Sequence, residues 1–248
     1  GRPKNGGGPP QHQVAPSFGP PPRAADAGAG ADVNTVDEAG RTPLMHAAGE
    51  GDVEALRRLL AASANVDASD ECRCTALMYA ATYGHSEAAR CLVEHGAVVE
   101  AASNDGWTPL ITASYNGHLE VVRYLLWHGA NVEAADQRGW TALMHVAFNG
   151  DDSTLRCLLE NGARVSTLDS EGRTALIYAA FSGHVENVRC LLEWGAKENA
   201  GGGGVAAQAA RPLAAPAVVR AEALDAALKL ARDRGHHVVA ELLSSWLN

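Results

Sequence analysis

A 248-residue chain that is 46% hydrophobic, with a formal net charge of −9, is long enough for one or two domains, and its sign disfavours wholesale binding to a nucleic acid backbone. No apolar run approaches ~18 residues, so no segment reads as inserting into a membrane. The five cysteines form no framework of pairs, which points to free thiols in a reducing compartment and to a cytoplasmic or nuclear location.

The chain starts at Gly1, has no Met before Met45 and carries no charged-then-apolar leader, so it reads as a fragment of a longer protein. Residues 1–29, rich in Pro and Gly, cannot bury enough apolar area to offset their ordering entropy and are expected to be a disordered arm. Within the arm, PSFGPPP has the composition of a polyproline ligand.

Periodicity begins at Gly30 and runs to residue 197. Thr42, Thr75, Thr108, Thr141 and Thr174 recur every 33 residues and open RTPLMHAAGEGD, CTALMYAATYGH, WTPLITASYNGH, WTALMHVAFNGD and RTALIYAAFSGH. A fixed period of this size is the mark of a solenoid. Counting from Thr, Leu at +2, a small residue at +5 and +6 and Gly at +9 describe a first helix with one apolar face. Thr is placed to cap it, Pro43 and Pro109 suit its first turn, and Gly ends it.

A second helix follows, with paired apolar residues at +17 and +18, from Leu59–Leu60 to Leu191–Leu192. It is expected to stop at Gly-Ala, including Gly195–Ala196. A polar, hairpin-like connection then leads to the next Thr. Residues 198–220, rich in Gly and Ala, read as a flexible insert. Residues 221–248 repeat the pattern out of register, with Ala226 standing for Thr, and their more polar end suits a capping unit.

These residues resemble the ankyrin repeat: G-x-T-[PA]-L, a small-residue pair, Gly-His, a Leu-Leu helix and Gly-Ala, over about residues 30–197 and 221–247. The resemblance implies an all-α solenoid of stacked helix–turn–helix units with hairpin turns, in five repeats plus a displaced C-terminal capping repeat. It also implies a protein-binding role. Three departures stand out. Met45, Met78, Ile111, Met144 and Ile177 replace the family's His after T-P-L, so the loop-ordering hydrogen bonds of that His are not expected. Arg73 replaces the turn glycine of the other hairpins, and Asp151–Asp152 with Val146 marks the fourth repeat as looser. Asn34 and Asn65 occupy hairpin positions that asparaginyl hydroxylases modify in some ankyrin repeats.

If +2, +5, +6 and +9 face inward, +4, +7 and +8 face a groove. That row contains His46, Tyr79, Tyr83, Thr112, Tyr115, Asn116, His145, Phe148, Asn149, Tyr178 and Phe181. The hairpin position just before Thr adds Arg41, Trp107, Trp140 and Arg173. Aromatic and Arg side chains dominate binding hot spots, so these fifteen residues are the candidate partner-binding set. The competing reading is that the rings pack between neighbouring repeats. Trp127 and Trp194, on the opposite side, are expected to pack locally. Hairpin tips carrying Glu38, Asp70, Glu71, Asp105, Gln137, Arg138 and Glu171 are mostly acidic and would steer a basic or mixed-charge partner.

Catalysis finds no support in the motifs, because nucleophile elbow, phosphate loop and zinc-protease patterns are all missing. Cys72 and Cys74 lack a second pair at zinc spacing, and His85, His118, His184 and His236 belong to the repeat. The expectation is a monomeric, non-catalytic scaffold or adaptor with no cofactor or metal, which binds a protein or peptide through an aromatic groove and its hairpin tips. The alternative is a regulatory or targeting domain of a larger enzyme, ligase adaptor or channel.

Overall fold

In a computed structural model that describes residues 33–199 and 217–247, each Thr-to-Gly stretch is a helix followed by a second, antiparallel one. The five pairs are α1 (Pro43–Glu50) and α2 (Val53–Ala61), α3 (Ala76–Tyr83) and α4 (Ser86–Glu94), α5 (Pro109–Tyr115) and α6 (Leu119–Trp127), α7 (Ala142–Asn149) and α8 (Asp152–Glu160), α9 (Ala175–Ser182) and α10 (Val185–Asn199). A sixth pair, α11 (Ala217–Asp233) and α12 (His237–Leu247), follows. Odd-numbered helices stack on one another in sequence, and so do even-numbered ones, which makes an all-α solenoid two layers thick. The arm and most of the Gly/Ala-rich insert lie outside the described residues, while α11 begins at Ala217, inside the stretch read as insert.

Burial explains the repeat. Leu44, Leu77, Leu110 and Leu143 at +2 are buried, and Ala47, Ala80, Ala113, Val146 and Ala179 at +5 are closed off by the next first helix. Small side chains there allow backbones to approach closely, and any larger group would force them apart. The second helices bury Leu56, Ala89, Val122, Leu155 and Val188 at +14. Leu59 and Leu60 of α2 are only partly covered, because no repeat among the described residues precedes them.

Two local expectations are corrected. Only Thr42 and Thr108, the two followed by Pro, accept a bond from the third helical N–H, at 3.4 and 3.3 Å. Thr75 and Thr174 are buried with hydroxyls that find no partner. Met78 and Ile177, three residues on, carry no polar side-chain group that could answer them. Helix α10 runs through Gly195 to Asn199 instead of ending in a left-handed glycine.

Candidate protein-binding face

Four of the five hairpins are built on a carboxylate five residues before Thr, of which the sequence pattern singled out only Asp70, and that as an acidic tip. Asp37 Oδ1 accepts the backbone N–H groups of Ala39 and Arg41, both at 2.9 Å. Asp70, Asp136 and Asp169 take the equivalent pairs in their own hairpins, at 2.8–2.9 Å. Ser103 replaces the carboxylate in the third repeat and accepts only Trp107 N–H, at 3.1 Å. The recurrence at 33 residues was the signal that could have revealed this group. Successive hairpins are joined backbone to backbone by Asn104 N–H to Cys72 O at 2.9 Å, Gln137 N–H to Asp105 O at 3.0 Å and Ser170 N–H to Arg138 O at 2.9 Å.

The second oxygen of each carboxylate receives the side chain at +4. His46 Nε2 lies 3.2 Å from Asp37, Tyr79 donates to Asp70 at 2.8 Å, His145 Nε2 donates to Asp136 at 3.1 Å, and Tyr178 donates to Asp169. Arg41 and Arg173 turn back to the same aspartates at 2.9 and 3.1 Å. The +4 row therefore points under the hairpin and not into a groove. Tyr79, Thr112, His145 and Tyr178 are buried, and so are Trp107 and Trp140. Reading these six as a groove surface is corrected: helix periodicity assigns a face, but the hairpin layer covers this one.

Packed rings, some buried and some half-buried, form a continuous chain through repeats three to five. The His145 ring lies 4.7 Å from Trp107, 5.0 Å from Trp140 and 5.8 Å from Tyr115. Trp140 stacks obliquely on Tyr178 at 4.0 Å, Phe148 lies 6.2 Å from Phe181, and Arg234 of the last repeat sits over Phe181 at 3.9 Å. Edge and tilted contacts of this kind add to area burial. Burial holds the His145 imidazole below the usual histidine range against the opposing pull of Asp136, and its Nδ1 has no partner. Burial likewise pushes the Cys74 thiol up to about 12, with the Asp70 charge adding to it, so Cys74 is inert.

What stays accessible is a narrower row at +7 and +8. Tyr83, Tyr115, Phe148 and Phe181 are half-buried, and Asn116 and Asn149 are exposed. Arg41, His46 and Arg173 keep partial exposure at its hairpin edge. Behind the row, each Gly-His histidine donates through Nε2 to the carbonyl at +7 of the preceding repeat: His85 to Gly49, His118 to Thr82, His184 to Phe148 and His236 to Phe181, at 2.9–3.0 Å. The fourth repeat, expected to be looser, has two bonds in place of those of the Gly-His repeats. Asn149 Nδ2 donates to the Tyr115 carbonyl at 2.7 Å, and Asp151 caps α8 through Ser153 and Thr154. Trp194 packs against the core, but Trp127 does not pack locally as expected and is 87% exposed. Among the described residues no three His, Cys, Asp or Glu side chains are grouped to hold a metal, and no helix is long and apolar enough to cross a membrane.

Stacked helix pairs with outward hairpins define a helical-repeat solenoid that offers a ridged face in place of a single pocket. The model of ankyrin repeats in three copies matches residues 25–101, 44–136 and 128–201, and the chain belongs to the ankyrin repeat family. Members of this family are in general protein–protein interaction modules. No curated protein matches the chain.

Proposed function

We propose that this solenoid is a non-catalytic scaffold or adaptor that binds a partner protein or peptide along the +7/+8 row and the adjoining hairpin tips. The observation that carries the reading is the row itself: Tyr83, Tyr115, Phe148 and Phe181 lie half-open along four consecutive repeats, with Asn116 and Asn149 exposed between them. Rigid aromatic rings with amide neighbours supply contact area and hydrogen bonding at low entropic cost, the composition of a binding patch. The partner is a protein segment of basic or mixed charge, because Glu38, Glu71 and Glu171 are exposed at the hairpins beside the row. The buried +4 residues, with Trp107 and Trp140, serve as the rigid backing of this row.

The test compares proteins captured by the wild-type chain with those captured by a Tyr83→Ser, Tyr115→Ser, Phe148→Ser and Phe181→Ser variant, both first verified as folded by circular dichroism. Each captured protein is then purified and titrated against both chains. Direct binders lost by the folded variant support the reading, and binders retained by it with unchanged affinity overturn it.

A further inference from the structure

The surface of the second-helix layer repeats as strictly as the core. Position +15 is arginine in all five repeats, and Arg57, Arg90, Arg123, Arg156 and Arg189 are all exposed. Four of them reach the glutamate one turn earlier: Arg57 to Glu54 at 3.4 Å, Arg90 to Glu87 at 3.7 Å, Arg123 to Glu120 at 3.9 Å and Arg189 to Glu186 at 3.6 Å. Most of these charges are thus neutralised within their own repeat.

The next turn along is different. Glu94, Trp127 and Glu160 are the last residues of α4, α6 and α8, at the same position in three consecutive repeats. All three are exposed, and neither glutamate forms an ion pair among the described residues. Trp127 is 87% exposed, against 0% for Trp107 and 2% for Trp140. The neighbouring cation and ring are already engaged, since Arg90 lies over Tyr124 at 5.2 Å and His128 packs on Tyr124 at 4.1 Å. A carboxylate at a helix C-terminus adds negative charge where the helix dipole is already negative, so Glu94 and Glu160 work against the stability of their own helices. Folding accounts for neither the open indole nor the acids beside it.

An indole face, two carboxylates without an ion pair and three helix C-termini each favour a cation, and they stand at the equivalent position on three helices packed in succession. We propose that Trp127, flanked by Glu94 and Glu160, is a second docking point that takes an arginine or lysine side chain from a basic segment of a partner protein. The same charges repel an acidic segment, and a purely apolar one would have to strip water from both carboxylates. This site does not depend on the aromatic row, and with both occupied the solenoid bridges two partners.

The experiment uses three labelled Gly-Ser peptides that differ only in carrying arginine, lysine or glutamate, titrated by fluorescence anisotropy at low and at high salt. The chains compared are wild type, Trp127→Ala, Glu94→Gln with Glu160→Gln, and Trp246→Ala, which removes the other exposed indole, on α12. The expected result is binding of the basic peptides to wild type, weakened about tenfold by Trp127→Ala, with an unchanged melting temperature because the side chain is open. The glutamine pair weakens binding and flattens its salt dependence, while Trp246→Ala leaves it as in wild type. The proposal is overturned if no basic peptide binds, if the glutamate peptide binds equally, or if Trp127→Ala is neutral. It is also overturned if the glutamine pair changes nothing, or if Trp246→Ala loses as much as Trp127→Ala.

Discussion

At the scale of single residues, the molecule carries its conformational and electrostatic exceptions in known places. Arg73 stands at φ 61° where the other hairpins have Gly40, Gly106, Gly139 and Gly172 at 76–81°, so the turn requires the left-handed region whatever residue occupies it. Arg73→Gly should raise stability by about 1 kcal/mol, some 2–4 °C in melting temperature, and an unchanged melt would remove strain as the explanation. Ser63, at φ 66°, is a second such exception, a serine where Gly96, Gly129 and Gly162 end the second helices of the next three repeats. His145 makes a pH prediction. Its folded-state pKa is depressed, chiefly by burial, so below about pH 6.5 the unfolded chain binds a proton that the folded chain refuses, and stability falls. His145→Gln keeps a donor for Asp136 but cannot titrate. Wild type should therefore be the more stable at pH ~7.5, with the gap in melting temperature narrowing toward pH ~5; a constant gap would exclude this linkage.

At the scale of the repeat, the glycine that ends each first helix answers two demands that can be separated. Gly117 and Gly150 both have left-handed φ, 73° and 86°. A Cβ on Gly150 would stand 2.5 Å from the His184 ring, whereas one on Gly117 would meet Asp151 at 3.4 Å, an ordinary contact. Gly150→Ala should therefore cost more than Gly117→Ala by about 1–3 kcal/mol in denaturant melts, and equal losses would show that backbone strain alone decides. The helix pairs were legible because Leu at +2, Ala at +5 and Gly at +9 report burial and chain reversal directly. The candidate face was legible only at +7 and +8. The +4 side chains have the right helical phase for a groove, but Asp37, Asp70, Asp136 and Asp169 draw them under the hairpins, and no helical period encodes a partner in a loop. Trp127 was misplaced for the converse reason: position on a helix says which way a ring points, not whether anything comes to meet it.

At the scale of the whole molecule, stability is distributed by neighbours. Repeats three and four touch a repeat on each side and share the ring chain from Trp107 to Phe181, while α1 and α2 have contacts on one side only among the described residues. Amides of α5–α8 should exchange most slowly with deuterium and those of α1–α2 and α12 fastest; uniform protection would point to all-or-none opening. The histidine bonds give the stack a direction. Each imidazole reaches backwards, so the carbonyl at the end of one first helix stays unanswered until the following repeat is in place. During synthesis from the N-terminus the +7 carbonyl of a unit is therefore answered only by its successor. Cutting the array is unequal for the same reason: removing repeats from the C-terminal side strands an acceptor in water, whereas removing them from the N-terminal side leaves a histidine donor without its carbonyl.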